Sequence, residues 1–139
     1  LVARLARQLF SQCGRGRSLL LGLDGAGKTT MLYKTKFGKV VDTTPTFGFN
    51  IEELSANNTT IDVWDAGGEE KLRPLWRHLY QGSHSVIYVV DSSDRDRMDC
   101  AREELAKLMA AEELRDAALL VLANKQDLPD AMTAAEVTE

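Results

Sequence analysis

A glycine-rich octapeptide between an apolar run and a helix-forming stretch constrains this chain more than any other feature. It reads GLDGAGKT at positions 22–29 and fits the pattern G-x-x-x-x-G-K-[ST]. The run Ser18–Leu21 before it predicts a buried strand, and Lys28–Lys34 at its end predicts the start of a helix. Glycines let successive backbone N–H groups point inward, and a helix N-terminus adds its positive dipole end. The stretch therefore predicts a phosphate-binding loop, against the alternative of a plain glycine-rich turn.

Individual residues of this loop suit different parts of a nucleotide. Lys28 can neutralise the β- and γ-phosphates, and the Thr29 hydroxyl can ligate Mg²⁺. We assign nucleotide contacts to seven consecutive residues: Asp24, Gly25, Ala26, Gly27, Lys28, Thr29 and Thr30.

A second motif predicts which base is bound. Asn124, Lys125 and Asp127 form N-K-x-D one residue after the apolar run Ala118–Leu122. A carboxylate can accept hydrogen bonds from the N1–H and amino group of guanine, whereas adenine offers no such donor pair and would leave it unpaired. Lys125 can lie along the base, and Asn124 can tie this loop to the phosphate loop. Alone the tetrapeptide is weak, but after a phosphate loop it favours a guanine nucleotide.

A third motif, D-x-x-G, follows another predicted strand. Asp65 can reach Mg²⁺, and the Gly68 N–H can bond a γ-phosphate oxygen, a contact that only the triphosphate state offers. Upstream, Thr46 supplies a candidate second hydroxyl for the metal, although an ordinary turn threonine is an equal alternative. The predicted metal set is therefore Thr29, Thr46 and Asp65.

Together these stretches resemble the ADP-ribosylation factor (Arf) and Arf-like family of small GTPases. The matching segments are GLDGAGKTTMLYK, PTFGFNIE, VWDAGGEEKLRPLWRH, YVVDSSDRDR and VLANKQDLPDAM. The resemblance implies a GTP/GDP switch with Mg²⁺ that regulates vesicle-mediated transport, in the cytoplasm and reversibly at membranes, with the Golgi as the expected organelle. It implies exchange factors, activating proteins and effectors as partners, contacted through Phe47, Phe49, Trp64, Trp76 and Leu79. The last of these replaces the family's usual tyrosine.

The N-terminal stretch suits a membrane surface. Apolar residues in Leu1–Phe10 recur at near-helical spacing with arginines between them, and the alternative is a helix packed on the domain itself. The family resemblance implies both, in different nucleotide states, with residues 13–17 as a hinge. We therefore divide the chain into an amphipathic segment and hinge, residues 1–16, and a GTP-binding domain, residues 17–139.

Two departures from the family pattern leave other functions open. The family's catalytic glutamine is Glu69 here, so the expected catalytic pair is Glu69 with Gly68, and a glutamate can accept hydrogen bonds but not donate them when ionised. The chain also stops at Glu139, before the family's last strand and C-terminal helix, which predicts a fragment or a truncated product. The rival is a nucleotide-binding scaffold that does not hydrolyse GTP. An ATP-using kinase is disfavoured by N-K-x-D.

Composition and periodicity predict the fold class. The net charge of −4 disfavours nucleic acid as a partner, and two cysteines are too few for a disulfide framework. Alternating strands and helices predict an α/β, mainly parallel sheet with helices on both faces, of the P-loop small GTPase type, without its last strand and helix. We expect strands at Ser18–Gly22, Phe49–Leu54, Thr60–Asp65, Ser85–Asp91 and Ala117–Ala123, and helices at Lys28–Lys36, Glu69–Tyr80, Asp94–Glu112 and from Thr133.

Overall fold

One mixed β-sheet organises the chain. The structure is a computed structural model that describes residues 15–56 and 59–138, and within them the sheet has five strands. They are β1 (Arg15–Leu21), β2 (Phe49–Ala56), β3 (Thr59–Ala66), β4 (Ser85–Asp91) and β5 (Ala118–Asn124). Their order is β2-β3-β1-β4-β5, and all neighbours are parallel except β2, which is antiparallel to β3. The mainly parallel sheet predicted from the sequence is confirmed.

The α-helices of the described residues include one close to its predicted bounds, at Lys28, and one that is shorter than the predicted Asp94–Glu112. They are α1 (Lys28–Phe37), α2 (Met98–Met109) and α3 (Ala134–Thr138), with 3-10 helices at Arg73–Leu79, Arg95–Arg97 and Glu112–Leu114. The expected helix at Glu69–Tyr80 is wrong in its start and type. Residues 69–72 form a bend and turns instead, and Pro74 lies in the first turn of the 3-10 helix, where its missing N–H costs nothing. None of the helices in this part of the chain has the length and apolar character needed to cross a bilayer.

Alternate residues of β1 pack into two separate apolar layers. Leu19 and Leu21 belong to a cluster with Tyr88 and Leu108, on the side of the sheet that α2 covers. Leu20 faces the opposite layer, where it joins a second cluster with Leu32 of α1. This alternation is the period-two pattern of a strand that is buried on both faces.

The strand β1 begins inside the predicted hinge. Arg15, Gly16 and Arg17 pair with residues 60–62 of β3, and the Arg15 guanidinium bonds both carboxylate oxygens of Asp62 at 3.0 and 2.8 Å. The hinge prediction is therefore wrong for residues 15–17, because a parallel ladder holds them. The predicted amphipathic segment Leu1–Phe10 lies outside the described residues.

Parallel strands place the site at one edge of the sheet. Because β1, β3, β4 and β5 run in the same direction, their carboxyl ends meet there. The phosphate loop follows β1, Asp65 lies near the end of β3, and Asn124 is the last residue of β5. Three motifs that are far apart in the sequence therefore come to one cleft.

Candidate nucleotide-binding site

The phosphate loop is held in shape by its own lysine. Lys28 is the first residue of α1, and its side chain turns back so that Nζ donates to the carbonyl oxygens of Gly22 and Leu23, both at 2.9 Å. The residue is only 7% exposed. Burial lowers the pKa of the Lys28 ammonium to about 8, while the nearby carboxylates of Asp65 and Asp24 oppose that shift. The loop thus holds a cation that a phosphate group would stabilise.

Two threonines and a buried aspartate meet behind the loop. The Thr29 hydroxyl donates to Asp65 Oδ2 at 2.5 Å and lies 3.0 Å from the Thr46 hydroxyl oxygen. Asp65 has no exposed surface, and among the described atoms its Oδ1 has no hydrogen-bond partner. Burial raises the pKa of this carboxyl group, and the Thr29 hydrogen bond and Lys28 oppose the rise. These oxygens are the ligand type that Mg²⁺ prefers, so the arrangement fits that ion.

The loop after β5 is joined to the phosphate loop. Asn124 Nδ2 donates to the Ala26 carbonyl oxygen at 2.8 Å, as the sequence predicted. Gly27, at φ +89°, lies so close to this amide that a Cβ there would be 2.4 Å from Asn124 Nδ2, so only glycine fits. The contact fixes the distance between the phosphate-binding and base-binding parts of the cleft.

Lys125 has a strained backbone and a fixed side chain. Its φ of 60° is the one positive value among the non-glycine residues that the structure describes. Nζ pairs with Asp91 Oδ2 at 2.5 Å, and Ser93 donates to the other oxygen of that carboxylate through both its N–H and its hydroxyl. Asp127 is exposed at the cleft, and its carboxylate has no partner within the described residues. A free acceptor therefore lies where a base would be bound.

The sequence-predicted contacts converge on one open cleft. Among its lining residues are Asp24, Gly25, Gly27, Lys28, Thr29, Thr30, Thr46, Gly68, Glu69, Asn124, Lys125 and Asp127. Ala26 and Asp65 are buried and contribute from behind this surface. Glu69 is partly exposed, and in this part of the chain its carboxylate has no hydrogen-bond or ion-pair partner.

The residues predicted to contact partner proteins divide into two groups. Phe47 and Phe49 are 83% and 52% exposed, and Phe49 stacks on Trp64 with ring centroids 5.2 Å apart. Trp76 and Leu79 are instead buried, at 2% and 8% exposure, so their predicted surface role is wrong. The 3-10 helix turns both side chains into the core, where Trp76 Nε1 donates to the Gly67 carbonyl oxygen at 2.9 Å.

Three residues that support the site were missed. Asp91 holds Lys125, while Arg73 and Arg97 both reach the Asp24 carboxylate, at 3.5 and 2.9 Å. A signal for Asp91 was present, because it ends β4 at the same sheet edge as the motifs. The two arginines lie within segments that match the family, but their pairing with Asp24 is seen only in the tertiary structure.

This fold and cleft are those of a P-loop small GTPase, and the comparisons agree. The sequence matches the ADP-ribosylation factor family over residues 2–139. A solved structure of the Arl6 (BBS3) small GTPase from Trypanosoma brucei, with a bound nucleotide analogue, GppNp, is similar at 34% identity and a TM-score of 0.82. The match covers 89% of this chain and 75% of that one.

The chain belongs to the ADP-ribosylation factor family of small GTPases. Membership implies binding of guanine nucleotides. Small GTPases generally act with exchange factors, activating proteins and effectors.

Proposed function

We propose that this protein is a guanine-nucleotide switch that cycles between GDP-bound and GTP-bound states and acts in vesicle-mediated transport. One observation carries the proposal: the phosphate loop, the Thr29–Asp65 pair and the Asn124–Asp127 loop line or back a single cleft. The Asn124–Ala26 hydrogen bond joins the base-binding and phosphate-binding ends directly.

Base selection rests on Asp127. Its carboxylate is exposed at the cleft and offers acceptors for the guanine N1–H and amino groups. Adenine would place an unprotonated ring nitrogen against that carboxylate. The carboxylate would then lose its hydrogen bonds to water and gain none from the base, which weakens binding. The ion pair with Asp91 holds Lys125 on the same loop, so the base-binding loop is ordered before the nucleotide arrives.

Phosphate binding rests on the loop and its lysine. Lys28 Nζ, now bonded to two carbonyl oxygens, would gain a charged partner in the β- and γ-phosphates. Thr29, Thr46 and Asp65 would hold Mg²⁺. The positive charge of the ion would stabilise the negative charge of the bound triphosphate. Gly68, which packs against the phosphate loop, would donate its N–H to the γ-phosphate, a contact that only the triphosphate can make.

Hydrolysis, by contrast, is expected to be slow. Glu69 lines the cleft, where a water that attacks the γ-phosphate would lie. An ionised carboxylate can orient that water but adds negative charge next to a transition state that already carries it. Glu69 would also attract an arginine supplied by an activating protein. The presence of a glutamate at position 69 is the observation that favours the second candidate, a GTP-binding scaffold that does not hydrolyse GTP.

Partner and membrane contacts complete the proposed cycle. Phe47 and Phe49 are exposed close in sequence to the proposed metal ligand Thr46 and would contact effectors. Leu1–Phe10 would bind a membrane surface weakly in the GTP state, with the Golgi as the expected site. Vesicle sedimentation tests this: a chain that begins at Arg15 should stay in the supernatant, and its sedimentation with vesicles would contradict the membrane role.

Titration calorimetry with GDP and ADP, in Mg²⁺, tests the nucleotide choice. We expect GDP to bind at least about a thousandfold more tightly, since a site built for a hydrogen-bonding edge rejects the analogue that lacks it. Asp127→Asn should reduce GDP affinity and improve binding of xanthosine diphosphate. Equal affinity for GDP and ADP would refute the proposed function.

A further inference from the structure

The carboxylate of Asp24 in the phosphate loop is shared between two arginines from different parts of the fold. Arg97 Nη1 donates to Asp24 Oδ1 at 2.9 Å, and its Nη2 donates to the Asp24 carbonyl oxygen at 3.1 Å. Arg73 Nη2 reaches the same Oδ1 at 3.5 Å. The first arginine precedes α2, and the second begins the 3-10 helix after Gly68. The same carboxylate thus connects the loop to two separate elements.

Arg73 is tied to the segment that would sense the γ-phosphate. Its Nε donates to the Gly68 carbonyl oxygen at 2.8 Å, and its backbone N–H donates to the Glu69 carbonyl oxygen at 3.1 Å. The side chain is only 9% exposed, and its remaining polar contact is the Cys100 sulfur, a weak acceptor. Asp24 is therefore the only carboxylate that this nearly buried guanidinium contacts among the described residues.

Gly68 itself lies against the phosphate loop. The Asp24 N–H donates to the Gly68 carbonyl oxygen at 3.1 Å, and a Cβ on Gly68 would be 2.4 Å from the Gly22 carbonyl oxygen. Any withdrawal of Gly68 from the loop would carry Arg73 with it, because the two share a hydrogen bond. Arg97 would stay in place, since Asp94, on its own segment, binds its Nε at 2.6 Å.

We propose that Arg73 is a positioning residue that favours the GTP state by pairing with Asp24 only when Gly68 lies on the phosphate loop, while Arg97 holds Asp24 in both nucleotide states. The pair thus adds a state-dependent contact between the phosphate loop and the segment that follows Gly68. It contributes to the ratio of GTP to GDP affinity rather than to affinity as such. This inference rests on the proposed switch function.

The test is the ratio of the dissociation constants for GDP and a non-hydrolysable GTP analogue, measured on the full chain with Mg²⁺. Arg73→Gln should lower the relative affinity for the GTP analogue by about fivefold. Arg97→Gln, the matched control on the same carboxylate, should change both affinities by the same factor. The inference is overturned if Arg73→Gln leaves the ratio unchanged or if both variants shift it alike.

A second variant keeps the test valid if Arg73→Gln does not fold. Asp24→Asn neutralises a side chain that is 44% exposed, and it should lower the ratio by a similar factor. Combined with Arg73→Gln, it should lower the ratio no further, because the pair is already lost. An unchanged ratio in Asp24→Asn overturns the inference. A wild-type chain that binds neither nucleotide would instead refute the proposed function, so the two failures are distinguishable.

Discussion

The side-chain amide of Asn124 donates a 2.8 Å hydrogen bond to the carbonyl oxygen of Ala26, and so joins two loops that are 98 residues apart. The bond sets the distance between the part of the cleft that would hold phosphates and the part that would hold a base. It involves neither phosphate nor base itself, so its role can be separated from direct ligand contacts.

Asn124→Ala should weaken GDP and GTP-analogue binding equally, by about fivefold, since one hydrogen bond that orders the site is lost. Calorimetry with both nucleotides checks this. Gln126→Ala is the matched control, because Gln126 lies on the same loop but bonds Ser92 and Met132 away from the cleft. A loss for only one nucleotide, or an equal loss in the control, would count against the bridging role.

Thr46→Ala should reduce affinity for a GTP analogue by about tenfold in Mg²⁺ and affect GDP much less. Thr46 lies on the loop before β2, and its hydroxyl oxygen lies 3.0 Å from the Thr29 hydroxyl oxygen. This position suits a residue that would bind Mg²⁺ only when the triphosphate is bound. Thr44→Ala, two residues away with an exposed side chain, serves as the control. If Thr46→Ala leaves the ratio of GTP-analogue affinity to GDP affinity unchanged in Mg²⁺, Thr46 is not a metal ligand.

In the absence of nucleotide and magnesium, Lys28 should make the free energy of unfolding rise with pH in the alkaline range. Burial lowers the pKa of Lys28 to about 8 in the folded chain, whereas the pKa in the unfolded chain is 10.5. The unfolded chain therefore binds more protons between these values, and the cost of burying the charge is relieved as pH rises from 8 to 10.5. Relative to Lys28→Met, the free energy of unfolding should increase over this range by up to about 3 kcal/mol. Urea unfolding at several pH values measures it. A difference between the two proteins that stays constant with pH would contradict the assignment.

Glu69→Gln should raise hydrolysis stimulated by an activating protein by at least about tenfold, because the amide can donate to phosphate oxygens and does not repel charge. Single-turnover assays measure this. Glu70→Gln, an exposed neighbour, should leave turnover unchanged. A glutamine variant that is equal or slower would show that the Glu69 carboxylate itself takes part in the chemistry.

The sequence predicts the sheet and the motifs well because both depend on local patterns. Apolar runs locate β4 at its observed bounds, and the spacing of motifs brings Lys28, Asp65 and Asn124 to one edge of a parallel sheet. Contacts between side chains from different elements were not predictable in the same way. The pairing of Asp24 with two arginines depends on where α2 and the 3-10 helix lie. The burial of Trp76 likewise depends on the 3-10 helix, which turns this side chain into the core.

The central claim is that this chain changes conformation with its nucleotide, and tryptophan fluorescence measures this most directly. Both tryptophans contact residues close in sequence to the proposed triphosphate contacts Thr46 and Gly68. Trp76 Nε1 donates to the Gly67 carbonyl oxygen, and Trp64 stacks on Phe49 and under the Arg17 guanidinium. Replacing bound GDP with a non-hydrolysable GTP analogue should change the emission, and excess GDP should reverse the change. Identical spectra with each nucleotide demonstrably bound would contradict the account.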